Sequence, residues 1–418
     1  MGQFVVRGGR RLEGTLRVKG SKNAALPIMA ASILATDTVI LNGVPHLRDI
    51  DVMIQVLQSL GARVQWEASR LIIDPRPVNQ YVVPAELMQQ MRASLFVTGP
   101  LLARLGRAVA FQPGGCNIGD RPIDLHVSGL TKLGAQSRTE EGHLLLETRG
   151  LNGTEVHLSY PSVGATENIL MAAVLARGET RIRNAAMEPE IVDLAQFLET
   201  VGATIRGAGT SDIRIEGQES LHGTEYTIIP DRIEAGSFAL AVALTGGQVR
   251  LENCLVDHLP GLWGRMREVG VEVREVDAET VEIVAPQRYR RMSVSLHTNP
   301  YPGFATDLQP QFMAFLLKVP GVHLISERVF ENRLGHAREF RRMGAQIAAD
   351  QRVALIYGGH ELYGAQVTAM DLRAGAGLIL AALGANGQTI IEGREVIERG
   401  YENLAQRLSQ LGADVRSL

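Results

Sequence analysis

The chain has 418 residues, 45% of them hydrophobic, and its 42 basic and 45 acidic side chains leave a net charge of -3. A chain of this length can bury two cores, and its near-neutral charge argues against a protein that binds nucleic acid or a membrane surface. No apolar run reaches the roughly 18 residues of a membrane span. The two cysteines, Cys116 and Cys254, argue against a disulfide framework. We therefore expect a cytoplasmic protein with no signal peptide, whose partners are small molecules.

Helices rich in small apolar residues are predicted at six places along the chain. Their apolar residues cover nearly the whole circumference, which is typical of buried helices. They begin near Lys22, Arg92, Gly164, Glu234, Thr306 and Arg373.

A second series of six helices is marked by a recurring motif, usually apolar-Gly-Ala-x-apolar. Successive glycines of this motif are 73, 68, 68, 74 and 68 residues apart. A glycine in this context is typical of a helix C-cap that is followed by a strand. The glycines are Gly61, Gly134, Gly202, Gly270, Gly344 and Gly412.

Short β-branched stretches between the two helix series predict strands, for example at 38–41, 180–182, 249–251 and 389–391. Each repeat of about 70 residues thus holds a buried helix, a strand, an amphipathic helix and further strands. The last repeat lacks its closing strands, and we expect residues 1–21 to supply them. The predicted α/β domains are therefore 22–230 and, discontinuously, 1–21 with 231–418.

Several charged residues are predicted at helix starts or at equivalent places in the repeats. Four of them fall in or beside the first turn of a predicted buried helix, namely Lys22, Arg92, Asp307 and Arg373. Arg121 and Arg399 each lie 13 residues before the capping glycine of their repeat. A lone arginine there could simply be a solvated helix end. Several cations at helix N-termini, however, are unfavourable unless an anion is bound, so we expect a ligand with phosphate or carboxylate groups.

Cys116 lies in the stretch FQPGGCNIGDRPIDLH at 111–126, where glycines surround it and Arg121 follows. A nearby cation favours the thiolate, so this cysteine is a candidate reactive group rather than a core residue. Cys254, in LENCLVDH, has no such neighbours and is expected to be a core residue at a strand end. His126 is expected to be structural.

Ten sequence motifs carry a family resemblance, namely KGSKNAALP at 19–27, MRAS at 91–94, PGGCNIGDRPIDLH at 113–126, SVGATEN at 162–168, AAMEPEIVDL at 185–194, PDRIEAGSF at 230–238, YPGFATDLQPQF at 301–312, VFENR at 329–333, DLRAGA at 371–376 and ERGYENL at 398–404. They resemble the enolpyruvyl transferase family, in particular the members that act on UDP-N-acetylglucosamine in peptidoglycan synthesis. The resemblance implies a two-domain inside-out α/β barrel with six βαβαββ units, three in each domain.

The resemblance also implies the reaction and its residues. The enolpyruvyl group of phosphoenolpyruvate would pass to the 3-hydroxyl of the sugar, with release of phosphate. Cys116 would donate a proton, form an adduct with phosphoenolpyruvate and react with fosfomycin, while Asp307 would accept the hydroxyl proton or orient the sugar. Catalysis is assigned to Cys116, Asp307, Lys22 and Arg399. Phosphoenolpyruvate is assigned to Lys22, Asn23, Arg121, Arg373 and Arg399. UDP-N-acetylglucosamine is assigned to Asn23, Arg92, Arg121, Pro122, Ile123, Asp124, Leu125, Ser162, Val163, Asp307 and Val329.

One position departs from part of the family. Tyr160 and Pro161 precede Ser162 where some members carry a lysine near the diphosphate. The alternatives are the sister enzyme that acts on shikimate 3-phosphate, against which Cys116 speaks, and a non-catalytic paralogue that binds nucleotide sugar. We expect no metal, no cofactor, and a monomer or weak oligomer.

Overall fold

The computed structural model describes residues 2–110, 122–140 and 143–418. Its described residues form two compact units, each with its own hydrophobic core. One unit consists of 20–110, 122–140 and 143–229, and is called the 20–229 unit below. The other consists of 2–19 with 230–418, and is called the 230–418 unit.

The α-helices of the described residues are α1 Lys22–Ala31, α2 Arg48–Ser59, α3 Ala85–Gln90, α4 Thr98–Leu105, α5 Asp124–Lys132, α6 Val163–Ala173, α7 Pro189–Thr200, α8 Arg232–Thr245, α9 Pro260–Glu268, α10 Gln309–Lys318, α11 Ala337–Arg342, α12 Leu372–Leu383, α13 Arg394–Ile397 and α14 Leu404–Gln410.

The strands are β1 Gln3–Arg7, β2 Glu13–Arg17, β3 Val39–Asn42, β4 Arg63–Glu67, β5 Arg70–Asp74, β6 Arg107–Ala110, β7 Gln136–Glu140, β8 His143–Glu147, β9 Glu155–His157, β10 Glu179–Arg183, β11 Thr204–Arg206, β12 Asp212–Glu216, β13 Glu225–Thr227, β14 Gln248–Glu252, β15 Glu272–Asp277, β16 Thr280–Val284, β17 Ser295–His297, β18 Gly321–Ser326, β19 Gln346–Ala349, β20 Val353–Gly358, β21 Gln366–Thr368, β22 Gln388–Glu392 and β23 Asp414–Ser417.

The predicted small-residue helices occupy the interior of each unit. In the 230–418 unit, α8, α10 and α12 pack against one another, and every residue of α12 is buried. Alanine and glycine at these positions let the helix backbones approach closely. The sheets lie outside the helices, and their outer faces carry ion pairs such as Arg274 with Glu272 and Glu282. This arrangement, with helices inside and sheets outside, is the inside-out α/β fold that the family resemblance implies.

Two of the predicted buried helices begin differently from the prediction. The stretches that start at Arg92 and Thr306 open with 3₁₀ turns, Arg92–Val97 and Thr306–Leu308, and the α-helices follow them. Pro310 lies in the first turn of α10. A proline there costs no hydrogen bond, because the first N–H groups of a helix have no partner within it.

The capping role of the six repeat glycines is confirmed. Each has a positive φ, from 90° at Gly344 to 108° at Gly202. Each follows the last turn of α2, α5, α7, α9, α11 or α14, and a strand starts two residues later. Glycine adopts this left-handed conformation without the steric cost of a Cβ atom, so it ends the helix and turns the chain into the sheet.

The strands of the described residues form six sheets, and the pairing of the two N-terminal strands corrects one prediction. As expected, β1 completes the sheet of the sixth repeat by pairing antiparallel with both β22 and β23. The expectation that the whole N-terminal stretch belongs there is wrong, because β2 pairs in parallel with β14 of the fourth repeat. The sheet orders are β21-β22-β1-β23, β11-β12-β10-β9, β13-β3-β5-β4, β15-β16-β14-β2, β17-β18-β20-β19 and β6-β8-β7.

The position of β2 follows a rule seen across the five four-stranded sheets. Each of them adds one parallel strand to three antiparallel ones, for example β13 beside β3 and β17 beside β18. In four of these sheets that strand precedes its partner in the chain, whereas β13 follows β3. In each sheet it covers an edge that would otherwise expose unpaired backbone groups. For the fourth repeat, β2 is that strand.

Among the described residues, no helix is both long and apolar enough to cross a membrane.

Candidate active site

The first turn of α1 places Lys22 in a buried ion pair. Ser21 is the N-cap, and its hydroxyl accepts a hydrogen bond from the backbone N–H of Ala24 at 3.3 Å. Lys22 follows it and is only 5% exposed. Its Nζ lies 3.1 Å from Oδ2 of Asp49, in the first turn of α2. Asn23 is half-buried in the same turn of α1. Asp49 therefore holds the ammonium group at the start of two helices.

The predicted sugar-site residues of the 20–229 unit lie near the starts of α4, α5 and α6. Arg92 donates from Nη2 to the carbonyl oxygen of Pro122 at 3.3 Å, just before α5. Within α5, His126 accepts at Nδ1 from the side-chain amide of Asn168 at 3.1 Å. The amide oxygen of Asn168 in turn accepts from the backbone N–H of Gly99 at 2.8 Å. These bonds join the three helices, and the buried His126 has the structural role that was expected.

The remaining predicted contacts of this unit line the same helix starts. Ser162 is the N-cap of α6, and its hydroxyl accepts from the backbone N–H of Ala165 at 3.4 Å. Val163 is the first residue of that helix, and a helix N-terminus favours an anionic group. Ile123 and Leu125 are half-buried, whereas Pro122 and Asp124 are exposed.

A buried acidic group near these helices was missed by the sequence analysis. Burial raises the pKa of Glu167, in α6, well above its usual value, and the charges of Glu190 and Glu188 raise it further. Both causes favour the protonated, neutral form of this carboxyl group. All three residues fall within motifs that carried the family resemblance, SVGATEN and AAMEPEIVDL.

In the 230–418 unit, Asp307 lies between two buried arginines. Its Oδ1 is 2.9 Å from Nη2 of Arg333, and its Oδ2 is 3.1 Å from Nε and Nη2 of Arg373. Both arginine side chains are 3% exposed, and that of Asp307 is 28% exposed. Burial is the largest single influence on the pKa of Arg373 and works to lower it, but Asp307, Tyr401 and Asp231 together outweigh burial and the net shift is upward. Arginine side chains keep their charge in proteins, so both groups are cations.

This arginine pair retains unused hydrogen-bond donors. Nε of Arg333 and Nη1 of Arg373 are buried without a hydrogen-bond partner among the described residues. Buried charged donors without acceptors are unfavourable, so they indicate a place for an anionic ligand. Two cations facing one carboxylate leave a net positive charge, which favours a carboxylate or phosphate group.

A second carboxylate fixes the segments beside Asp307. Glu327 is fully buried. Its Oε1 accepts from the backbone N–H of Val329 at 2.9 Å, and its Oε2 accepts from the hydroxyl of Thr306 at 3.0 Å. The Glu327 side chain thus holds both the segment that contains Val329 and Thr306, the residue before Asp307.

Two predicted residues, Cys116 and Arg121, lie outside the described residues. Arg399 is half-buried between α13 and α14. The prediction for the other cysteine is confirmed: Cys254 is 2% exposed, and burial raises the pKa of its thiol to about 12. A thiol with that pKa is almost wholly protonated and therefore unreactive at neutral pH.

Comparison with known proteins identifies the family. The family model for EPSP synthase (3-phosphoshikimate 1-carboxyvinyltransferase) matches residues 6–408. A UDP-N-acetylglucosamine 1-carboxyvinyltransferase of Finegoldia magna is 47% identical over 416 residues, which cover 99% of this chain and 98% of that protein. The enzyme of the same name from Halothermothrix orenii is 46% identical over 418 residues, which cover 100% of both chains. This chain belongs to the UDP-N-acetylglucosamine 1-carboxyvinyltransferase family.

Solved structures agree with the carboxyvinyltransferase fold. The enolpyruvyl transferase NikO from Streptomyces tendae superimposes with a TM-score of 0.89 at 26% identity, covering 100% of this chain and 98% of that one. An EPSP synthase from Acinetobacter baumannii has a TM-score of 0.78 at 17% identity over the full length of both chains, which bears on the fold alone. The much higher identity to the UDP-N-acetylglucosamine 1-carboxyvinyltransferases decides which branch of the fold this chain belongs to.

Two further residues that sequence reasoning missed in this carboxyvinyltransferase are partners of predicted ones. Arg333 ends the quoted motif VFENR, so its presence near the site could have been suspected, but its contact with Asp307 could not. Asp49 reads as an ordinary acidic residue in a first helical turn. Among the residues that the structure describes, no group of His, Cys, Asp or Glu side chains is arranged to hold a metal ion.

Proposed function

We propose that this protein transfers the enolpyruvyl group of phosphoenolpyruvate to the 3-hydroxyl of UDP-N-acetylglucosamine and releases phosphate. This would be the first committed step of peptidoglycan synthesis, carried out in the cytoplasm. The observation that carries the proposal is the identity of 46 to 47% with UDP-N-acetylglucosamine 1-carboxyvinyltransferases along the whole chain. The arginine pair with spare donors supports it, because both the donor substrate and the released product are anions.

The reaction is an addition followed by an elimination. The sugar hydroxyl loses its proton as its oxygen bonds to C2 of phosphoenolpyruvate, and the methylene carbon gains a proton. The C–O bond to phosphate then breaks while the new methyl group loses a proton, which restores the carbon double bond. A positioned base, a positioned acid and cations that stabilise the developing charge are the groups this sequence requires.

In the 20–229 unit we assign Lys22 and Asn23 to phosphoenolpyruvate, and Cys116 to proton donation to its methylene carbon. Arg121 would contact both substrates. The nucleotide sugar is assigned to the helix starts described above, namely Asn23, Arg92, Pro122, Ile123, Asp124, Leu125, Ser162 and Val163. The burial of Lys22 supports its role, since an ammonium group held by Asp49 is already oriented before substrate arrives.

In the 230–418 unit we assign Asp307 to the sugar hydroxyl, and Arg373 and Arg399 to phosphoenolpyruvate. Val329 would contact the nucleotide sugar. The two ion pairs of Asp307 support an ionised carboxylate at this position, which is the form that a base must have.

We further propose two enolpyruvyl transferase domains with the bounds 22–230 and 1–21 with 231–418, in a monomer or weak oligomer. The compact units of the described residues support these bounds.

A phosphate-release assay with two acceptors tests the activity. Phosphoenolpyruvate with UDP-N-acetylglucosamine should give phosphate and a product heavier than the acceptor by one enolpyruvyl group in mass spectrometry. Release with shikimate 3-phosphate alone would instead establish the sister reaction. Binding of the nucleotide sugar without any release would establish a non-catalytic paralogue.

Arg373→Gln, paired with Arg250→Gln, tests the site. The first change removes a buried cation, and the second removes an exposed one on the outer face of a sheet in the same unit. We expect kcat/KM for phosphoenolpyruvate to fall by about a hundredfold in the first variant and to stay unchanged in the second. Equal effects would contradict the assignment of Arg373.

A further inference from the structure

A group of polar side chains is buried in the interior of the 230–418 unit beneath Arg373. Tyr401 is 1% exposed, Ser237 is 4% exposed and Gln311 is fully buried. We call these three residues the Tyr401 cluster. Ser237 comes from α8 and Gln311 from α10, while Arg373 lies in the first turn of α12. Each of the three core helices thus contributes one neighbour of Tyr401.

The hydrogen bonds of the Tyr401 cluster run in one direction. The hydroxyl of Ser237 has a single proton, which it donates to the carbonyl oxygen of Ile233 at 2.8 Å. The hydroxyl of Tyr401, 2.8 Å from that of Ser237, must therefore be the donor of that bond. Nε2 of Gln311 donates to the Tyr401 hydroxyl at 2.9 Å and also to the Ser237 hydroxyl at 3.1 Å. The chain of donors is Gln311 to Tyr401 to Ser237 to Ile233.

This chain of bonds fixes a surface on which Arg373 rests. The central carbon of the Arg373 guanidinium is 5.4 Å from the centre of the Tyr401 ring, within the range of a cation–π contact. Asp307 holds the same guanidinium through Nε and Nη2. Asp307 therefore holds one edge of the Arg373 guanidinium, and the Tyr401 ring supports its planar face. Nη1 of Arg373 makes no hydrogen bond to the described residues.

The segment that carries Tyr401 is also packed tightly on the start of α12. A Cβ atom added at Gly400 would lie 2.3 Å from the end of the Leu372 side chain, so a larger residue there would require Leu372 to move. Arg399 immediately precedes this glycine. The burial of Tyr401 thus anchors a segment that adjoins both arginines assigned to phosphoenolpyruvate.

A purely structural role for Tyr401 does not account for its hydroxyl group. Phenylalanine would fill the same space among apolar helices and would avoid burying a phenol, which is unfavourable unless the group is fully hydrogen-bonded. Here a serine and a glutamine are buried as well in order to bond it. Such an arrangement specifies one ring orientation beneath Arg373.

We propose that Tyr401 is a positioning residue, which holds Arg373 in the orientation that binds the carboxylate of phosphoenolpyruvate. The inference rests on the proposed function. Tyr401 acts through Arg373 and does not itself touch substrate. The bonds from Gln311 and to Ser237 keep the ring in place, so those two side chains support the same orientation.

Tyr401→Phe and Tyr289→Phe form a matched pair of variants. Tyr289 is a partly buried tyrosine of the same unit, and its hydroxyl donates to the carbonyl oxygen of Ala243, near the last turn of α8. Each change removes one hydroxyl group with one donated bond and leaves the ring. The two changes differ in that only Tyr401 lies beneath Arg373.

Steady-state kinetics separates positioning from stability. We expect Tyr401→Phe to raise KM for phosphoenolpyruvate by about fivefold, the scale of one lost hydrogen bond, and to leave KM for UDP-N-acetylglucosamine unchanged. Tyr401→Leu, which also removes the ring, should raise KM for phosphoenolpyruvate by about a further fivefold. Tyr289→Phe should leave both constants unchanged. Gln311→Met removes the donor to Tyr401 and should cause a smaller rise in KM for phosphoenolpyruvate. This variant replaces the tyrosine variants as the test if they do not fold.

Each outcome distinguishes the inference from the proposed function. Wild-type protein that releases no phosphate would overturn the proposed function, and binding of phosphoenolpyruvate by calorimetry would then test the positioning role in its place. Active wild-type protein with unchanged KM for phosphoenolpyruvate in Tyr401→Phe, Tyr401→Leu and Gln311→Met would overturn the inference. A shared loss of thermal stability in Tyr401→Phe and Tyr289→Phe with no kinetic difference would show that Tyr401 is a core residue only.

Discussion

Replacing Asp307 by Asn would remove the carboxylate that pairs with both Arg333 and Arg373 while keeping the size of the side chain. Both arginines would stay buried, since their side chains are only 3% exposed, and an arginine side chain keeps its charge in proteins. An amide oxygen can still accept one hydrogen bond, but it no longer offsets two positive charges. The variant should therefore lose stability as well as activity.

The size of the stability loss follows from burial. Removing one partner of a buried ion pair costs about 3–5 kcal/mol. The side chain of Asp307 is 28% exposed, so solvent screening reduces the expected loss to about 2–4 kcal/mol. For a unit of this size, that corresponds to a fall of about 10 °C in Tm. Turnover should fall by about a hundredfold or more if Asp307 is the base.

Thermal unfolding with and without inorganic phosphate measures both effects. Glu272→Gln is the control, because Glu272 pairs with Arg274 on an exposed sheet face and its loss should cost less than about 1 kcal/mol. Phosphate should raise the Tm of Asp307→Asn more than that of wild type, since an anion can replace the missing carboxylate. Equal Tm losses in the two variants, or equal protection by phosphate, would refute this account of the arginine pair.

Three further predictions follow from burial and charge. Asp49→Asn leaves the buried ammonium group of Lys22 without its carboxylate, so urea unfolding should show a stability loss of about 3 kcal/mol. Asp51→Asn, an exposed change in the same turn of α2, is the control, and equal losses in the two variants would mean that only the helix dipole matters. Fosfomycin should give one adduct, on Cys116, because burial raises the pKa of the Cys254 thiol to about 12; peptide mapping that finds the adduct on Cys254 would contradict this. Burial lowers the pKa of His336 from 6.5 to about 4, so between these values the unfolded chain takes up a proton that the folded chain does not. Stability should fall by about 3 kcal/mol as pH drops from 6.5 to 4, and His336→Phe should remove this dependence in urea titrations; an unchanged pH dependence in that variant would show that other groups cause it.

Much of the architecture could be predicted because its signals are local. The capping glycine at each of the six helix ends is required by a backbone conformation at that one residue, so Gly61 or Gly202 can be recognised without knowledge of the rest of the fold. The apolar circumference of α8 and α12 likewise follows from their own residues. The family resemblance added the activity and the roles of Cys116 and Arg121, which stay predictions.

The pairings between elements were decided only by the tertiary structure. The second N-terminal strand has the same local pattern whether it joins the sheet of the sixth repeat or that of the fourth, and the open edge of β14 selects it. Lys22 and Asp49, or Asp307 and Arg333, are more than 25 residues apart along the chain. Their local sequence does not predict which carboxylate pairs with which cation. Burial makes these contacts strong, because in a water-poor interior a charge without a partner is costly, and only the packing of helices and turns determines which partner is within reach.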